Sequence, residues 1–516
     1  RPAEPAKPVA PVATTAPAAA AQPTTAPAAQ PASSASSASG KITIVFENDP
    51  DTIVPRDAYT NNGYFVLDNV YDHLVARDWS SGSAKLVPQL AESWTAVDPK
   101  TWRFKLRQGV TFTNGEKFTA DAVVAAITDI ANPEKPGLAI GEYGPLQSAK
   151  KIDDFTADII TRDADPILPE RLVHFPIPAP NWLKNANLTV TSTEAVGSGP
   201  YILAEYVPKD HLLFKANPNY WGPNKARIAE IRLIGRREQG VRAAMLQAGE
   251  VNLAFHIALD DAQKSARPII EQTQESVINM VNYEHPVMKD IRVRRAIAAA
   301  IDVPGMIDAL YPGGIAVPLL NQAVRQGTVG WNPNIKPFAY NLDEAKRLMQ
   351  EAGAAGTPVE YIVKPGSFPR GTEVGEAVVG KLNDIGFKAT LRQMEGVPFS
   401  EKKRAVKPGQ DTFDLLQTSV SSPVLDSSRV FDAYYKCGSI YKIGCDEEFD
   451  RRYGEVRGLT GEARDKAFQG LWEYASDKLW NLPMFGLNWV HAAGPKLKWN
   501  PRIDGLVLFS EMSLDS

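Results

Sequence analysis

Strand-like and helix-like segments alternate irregularly along this chain, and the alternation predicts an α/β architecture with a mixed sheet. Short β-rich runs show a period of two: Trp102, Phe104 and Leu106 alternate with Arg103, Lys105 and Arg107. Longer stretches between such runs carry apolar residues at helical spacing. At 516 residues and 44% hydrophobic content, the chain is too long for one core, so about two or three domains are expected.

Taken in order, Lys41–Asn48 (KITIVFEN) reads as a strand and Gly63–Val75 as an amphipathic helix. After the Trp102–Leu106 run, Gly109 and Asn114-Gly115 supply turns where positive φ is needed. Thr119 is placed to cap a helix starting at Ala120, with Asp121 in its first turn. Asp154–Thr161 and Arg227–Ile234 alternate like strands, and Gly240–Ala248 has helical spacing. Val359–Lys364 is β-rich and stops at Pro365; a helix from about Thr372 to Ile385 and a strand at Ala389–Gln393 follow. There is no internal repeat.

The first forty residues differ. No charge occurs between Lys7 and Lys41, only Ala, Pro, Thr, Ser, Gln, Val and Gly. Such a segment buries too little apolar surface to offset its ordering entropy, so residues 1–40 are expected to be a disordered tether. A tether suits a protein standing off a membrane, and a lipid anchor upstream of the given chain is the expectation. The net charge of −4 gives no electrostatic reason to propose nucleic acid or an anionic membrane surface as a partner.

Catalytic chemistry is hard to find. His73, His174, His211, His256, His285 and His491 are scattered outside any nucleophile or zinc motif. Gly197-Ser198-Gly199-Pro200 lacks the lysine and following helix of a phosphate loop and reads as a turn into a strand. The acid pairs Asp153-Asp154 and Asp260-Asp261 read as exposed turns and helix starts. Neither a catalytic residue nor a metal or cofactor site is expected. Cys437 and Cys445 close no metal site by themselves. In an oxidising compartment they would form a small disulfide loop; two free buried thiols are the alternative. Arg292, Arg294 and Arg295 on the Asp290–Asp302 helix are expected to make surface salt bridges.

Several blocks carry a resemblance. LVPQLAESW, followed by WRFKLRQGVTFTNGEKFTADAV, is similar to the signature of the family 5 extracellular solute-binding proteins, the peptide, oligosaccharide and nickel receptors of bacterial ABC importers. GSGPYILAEY, NPNYWG, VRAAMLQAGEVN, DIRVRRAIAAAID and NLDEAKRLMQEAG follow in the family's order, from about Ile42 to the C-terminus. The resemblance implies a two-lobed, periplasmic-binding-protein-like fold of type II with an extra inserted domain and a hinged cleft. Lobe I would comprise 41–75, 181–279 and 485–516, with 76–180 inserted in it, and lobe II 280–484. The implied role is extracytoplasmic capture of a small solute or peptide for an ABC permease complex by lobe closure, with a monomer expected. A non-peptide solute such as an oligosaccharide is the alternative, and an extracytoplasmic enzyme on the same scaffold is the alternative from another class.

The resemblance also points to site residues. Asn48 and Asp49, in the loop after the first strand, would line the cleft. Tyr143 and Gly144 match a family segment that presents an aromatic ring to the ligand. Gln417, Thr418 and Ser419 follow the Phe413–Leu416 strand. Trp489 is one of the C-terminal aromatics, with Trp331, Tyr434, Tyr435, Trp480 and Phe485, whose flat faces suit sugars or peptide side chains. Peptide-binding members carry an aspartate for the ligand's α-ammonium beyond the Phe413–Leu416 strand. Here Ser421-Ser422-Pro423 stands in that place, with no acid until Asp426. Asp426 would serve the ligand through a shifted loop, or else cap the turn before Ser427–Tyr435.

Overall fold

The alternation in KITIVFEN is realised as strand Ser39–Phe46, which buries Ile42, Ile44 and Phe46 near the middle of an eleven-stranded sheet. The computed structural model describes residues 38–515, apart from 51, 59–60, 79–84, 135–136, 190, 405–411, 423 and 442–443. The tether expected at 1–40 therefore lies outside the described residues, except that 39 and 40 already belong to the first strand.

The large sheet is mixed. On one side Ser39–Phe46 pairs in parallel with Ile228–Gly235 and Leu253–Ala254, and His211–Ala216 and Tyr201–Val207 continue the sheet antiparallel. On the other side Pro358–Val363 pairs in parallel with Lys388–Gln393 and Leu415–Val420. Two long strands join the sides: Arg267–Val281 runs across and Asn481–Ala493 returns beside it, antiparallel from Arg267↔Ala493 to Met280↔Asn481. Their ladder is irregular between Gln272 and Ser276. A buried arginine fills that irregularity. Arg325 Nη1 donates to Thr273 O at 2.6 Å and Leu487 O at 2.7 Å, and Nη2 donates to Asn488 Oδ1 at 3.0 Å. Gly486 permits this approach, since a Cβ there would stand 2.5 Å from Arg325 Nε.

A separate antiparallel sheet contains Ala91–Asp98, Thr101–Leu106, Thr156–Thr161 and Leu146–Asp153. The period-two run works here as expected. Phe104 and Leu106 are buried, while Arg103 forks onto Asp158 across the ladder at 2.7 and 2.8 Å. Helix Ala120–Ile130 packs on this sheet, and Thr119 Oγ1 caps it by accepting from Asp121 N.

Apolar side chains gather in five clusters. One joins residues from 42–71, 195–255 and 493–512, and one lies within 74–179 with Leu506. Two lie between 277 and 487, and a smaller one joins Val45, Ile234, residues of 243–262, Val490 and Ala492.

Two expectations need correction. The helix read as Gly63–Val75 spans Asn61–Val70 and is followed by strand Val75–Asp78. It stops because another backbone arrives: Gly199 N donates to Val70 O at 2.9 Å, and a Cβ on Gly197 would stand 2.1 Å from that oxygen. Of the three helix arginines, Arg292 does pair with Asp290 near the surface. Arg294 instead is buried and donates to the carbonyls of Met288, Lys289 and Lys478, so it stitches the lobe internally.

Candidate ligand-binding site

A pocket of about 400 Å³ opens where strands Pro358–Val363 and Leu415–Val420 end side by side. Lys364, Ser367, Lys403, Thr418, Ser419 and Tyr441 are among the residues that line it. Lys403 comes from helix Gly396–Arg404, and its ammonium donates to Thr418 Oγ1 at 2.9 Å and Tyr434 Oη at 3.0 Å. The Tyr441 ring lies 4.3 Å from the same nitrogen. A disulfide between Cys437 and Cys445, with Cα atoms 4.7 Å apart, closes the loop that carries Tyr441. Burial and the neighbouring Arg404 and Lys364 push the Lys403 ammonium down to about 8.

From this pocket a line of polar groups runs toward the other lobe. Next to it Glu275 sits at the irregularity of the crossing strands; burial pushes its carboxyl up, against the pull of the Ser419 hydroxyl. Beyond it stands His256, whose Nδ1 lies 3.5 Å from Glu47 Oε1. The hydrogen bond with His256 holds the Glu47 carboxyl low. The Trp489 ring lies over His256 at 4.2 Å between centroids, and His491, buried below, bonds Glu271 at 2.7 Å. His256 has φ +49°, a left-handed conformation that a non-glycine residue holds only when its surroundings impose it. Arg242 imposes it, donating to the carbonyls of Arg236, Arg237, Phe255 and His256. Polar side chains from segments 47, 256–275 and 419 thus meet near the crossing strands, an arrangement suited to holding a polar solute. Among the described residues no group of three His, Cys, Asp or Glu is placed to hold a metal.

The residues singled out from sequence fall in different places. Thr418 and Ser419 line the pocket, and Trp489 reaches the same polar line through His256. Gln417 turns into the lobe's core beside the Tyr361 hydroxyl. Asn48 is exposed at the end of the first strand, and Asp49 Oδ2 accepts from Lys209 N at 2.5 Å. The Tyr143 ring is buried against Phe175 at 4.8 Å with its hydroxyl donating to His174 O, so it packs the core within 74–179. Gly144 has φ +72°, and a Cβ there would press on Arg171 at 2.7 Å. Asp426 is taken up internally: Arg464 grips both its oxygens at 2.8 and 2.9 Å, and Ser428 N and Oγ donate to Oδ1. Pro423 lies outside the described residues. Among the aromatics weighed as sugar platforms, Tyr435, Trp480 and Phe485 are core, and Trp489 keeps partial exposure.

Sequence reading missed Lys403, Tyr441, Glu275 and His256. Lys403 belongs to the run SEKKR, which reads as a solvated basic face, and Tyr441 is placed by a disulfide. Glu275 and His256 matter through the strand irregularity and a left-handed residue, and neither feature has a sequence signature here.

Relatives are plain. The profile of the bacterial extracellular solute-binding proteins, family 5 Middle, matches residues 85–442. Di/tripeptide-binding protein 1 of Pseudomonas aeruginosa is 23% identical over 459 residues, covering 81% of this chain and 83% of that protein. Heme-binding protein A of Haemophilus influenzae is 27% identical over 444 residues, covering 78% of each. Among solved structures, HbpA2 from Haemophilus parasuis superposes with a TM-score of 0.80 at 21% identity, covering 92% of this chain and 100% of that one. At that identity the likeness speaks for the fold.

Proposed function

This chain belongs to family 5 of the bacterial extracellular solute-binding proteins, and on that premise we propose that it captures a peptide or peptide-like solute outside the cytoplasm and presents it to an ABC permease. The observation that carries the reading is the polar line Ser419–Glu275–His256–Glu47, which draws groups from both lobes to the crossing strands beside an open pocket. A solute held there gains contacts to both lobes only when they close, and that differential affinity is what drives closure. The similarity to a di/tripeptide-binding protein favours a peptide, and the similarity to a heme-binding protein shows that kinship alone does not choose the ligand.

The finer assignments belong to the same proposal. Lobe I comprises 41–75, 181–279 and 485–516, the inserted domain 76–180, and lobe II 280–484. Thr418, Ser419 and Trp489 contact the solute. The protein is a lipid-tethered monomer and turns over no substrate. Among the described residues no helix is long and apolar enough to cross a membrane. Native mass spectrometry of chain purified without refolding tests the reading, coupled to small-angle scattering with and without the released solute. A co-purifying peptide mass whose return shrinks the radius of gyration is expected. Turnover of a peptide, ester or glycoside, abolished by Ser419→Ala, would overturn it.

A further inference from the structure

We propose that the contact between the 74–179 core and residues 424–429 is a pH-sensitive latch, in which Glu170 takes up a proton as the lobes close, so that acid favours the closed, solute-holding arrangement. The proposal rests on the solute-binding reading above and adds a regulation of its closure. Two polar contacts make the latch. Arg429 Nη2 donates to both oxygens of Glu142 at 3.1 and 3.2 Å, and Arg77 Nη2 donates to Val424 O at 3.0 Å.

Glu170 is the unmatched group at this contact. It comes from the short helix Leu168–Arg171, and the turn 172–174 that follows packs on strand Val75–Asp78, which carries Arg77. Its Oε2 is buried without a hydrogen-bond partner. The surrounding carboxylates are matched. Asp165 holds Arg171 at 2.8 Å, Glu142 holds Arg429, and Asp504 and Glu511 hold Arg502 at 2.9 and 2.7 Å. Asp68 has His73 and His174 at 3.4 and 3.6 Å. Three charged groups face Glu170: Asp426 and Arg464 from across the contact, and Arg77 from its own side. Asp426 repels it, and both Asp426 oxygens are already taken by Arg464 and Ser428. Arg464 turns its Nη1 to the carbonyls of Arg457 and Leu459, so it attracts Glu170 without bonding it. A carboxylate drawn from water without a partner is unfavourable, and binding a proton removes that cost. Burial and Asp426 accordingly push the Glu170 carboxyl up to about 7. Parting the contact returns water to Glu170 and takes Asp426 away, so the open chain keeps the ordinary carboxylate value. Between that value and about 7 the closed arrangement binds more protons than the open one, and falling pH favours closure. Above about 7 both arrangements are ionised and the repulsion is fully present.

Small-angle scattering of the full chain without solute, from about pH 8 to about pH 5, tests the latch. The radius of gyration is expected to fall across that range in the wild type. Glu170→Gln, a neutral mimic of the protonated carboxyl, should be compact throughout. A radius that ignores pH in the wild type overturns the proposal. So does a pH response that Glu170→Gln keeps in full, which would assign it to histidines such as His73 and His174. A second measurement needs no variant. Calorimetric titration of the wild type with a tripeptide pool near pH 7, in phosphate and in Tris, counts the protons exchanged on binding through the different ionisation enthalpies of the two buffers. Net proton uptake is expected, with binding tighter by about three-fold or more at the acid end of the range. Binding without uptake overturns the latch and leaves the solute-binding reading standing. Binding of no peptide overturns the peptide reading, and the scattering alone then decides the latch.

Discussion

Asp72 ties together three of the sequence blocks on which the family resemblance rests. Its buried carboxylate accepts from Gln89 Nε2 at 2.9 Å, Ser198 Oγ at 2.9 Å, Tyr220 Oη at 3.0 Å and Trp221 Nε1 at 2.7 Å. Gln89 comes from LVPQLAESW, Ser198 from GSGPYILAEY, and Tyr220 and Trp221 from NPNYWG. Burial pushes the Asp72 carboxyl up, and the hydrogen bonds from Trp221, Ser198 and Tyr220 pull it back. Asp72→Ala strands those donors in the interior and should cost about 3 kcal/mol or more, measured as a fall in the urea midpoint at constant m-value. Lys403 makes the opposite prediction. Its folded pKa of about 8 lies below the 10.5 of an ordinary lysine, so between those values the unfolded chain binds more protons and stability rises with pH. Below about 8 both states are protonated and the full cost of the buried cation is present. The stability of the wild type minus that of Lys403→Met should therefore climb between about pH 8 and 10.5; a flat difference would mean that the ammonium is well solvated. Neither residue was visible in the sequence. Asp72 receives three of its four donors from more than a hundred positions away, and Lys403 looks like any surface lysine until its tyrosines are in place.

Elements were read most faithfully where one face is buried. The runs at 41–48, 102–107, 154–161, 227–234 and 359–364 became strands at nearly those bounds, because a register slip would turn every apolar side chain outward. The crossing strands escaped that logic. Arg267–Val281 begins with its even positions exposed and ends wholly buried, so no single period describes it. Both proposed lobe boundaries at the crossing, 279/280 and 484/485, fall inside continuous strands. The connection between the lobes is thus a hydrogen-bonded ladder with two irregularities, the wider of which, between Gln272 and Ser276, is filled by Arg325. Gly486→Ala would drive a methyl group into the Arg325 guanidinium, and the expected cost is about 1–3 kcal/mol. Hydrogen exchange should show the loss concentrated at 272–276 and 485–488. Uniform loss of protection across the chain would mean that the ladder is not a local weak point.

At the scale of the whole molecule, the segment around the 74–179 core meets the segment around residues 424–429 directly. Arg429 pairs with Glu142 at 3.1 Å, and Arg77 Nη2 donates to the carbonyl of Val424 at 3.0 Å. These contacts bridge segments that belong to different cores, so they favour the arrangement in which those cores are close. Their removal should act on the population of that arrangement and not on the pocket itself. Glu142→Gln is expected to weaken apparent solute affinity by roughly 2–5-fold, with most of the change in the dissociation rate and a larger radius of gyration without solute. Affinity loss without any change in scattering would place Glu142 in direct contact with the ligand instead.

The bond between Cys437 and Cys445 has a consequence outside the stability of its own loop. Tyr441 lies inside that loop and leans over the Lys403 ammonium, so the oxidation state of two sulfurs sets how well a distant lysine is sheltered from water. A chain made in a reducing cytoplasm would fold its sheets from the same apolar pattern, yet carry an unshielded cation where the secreted form has a roofed one. Export would then complete the receptor chemically as well as deliver it, and a cytoplasmic preparation would be a poor stand-in when its ligand is sought.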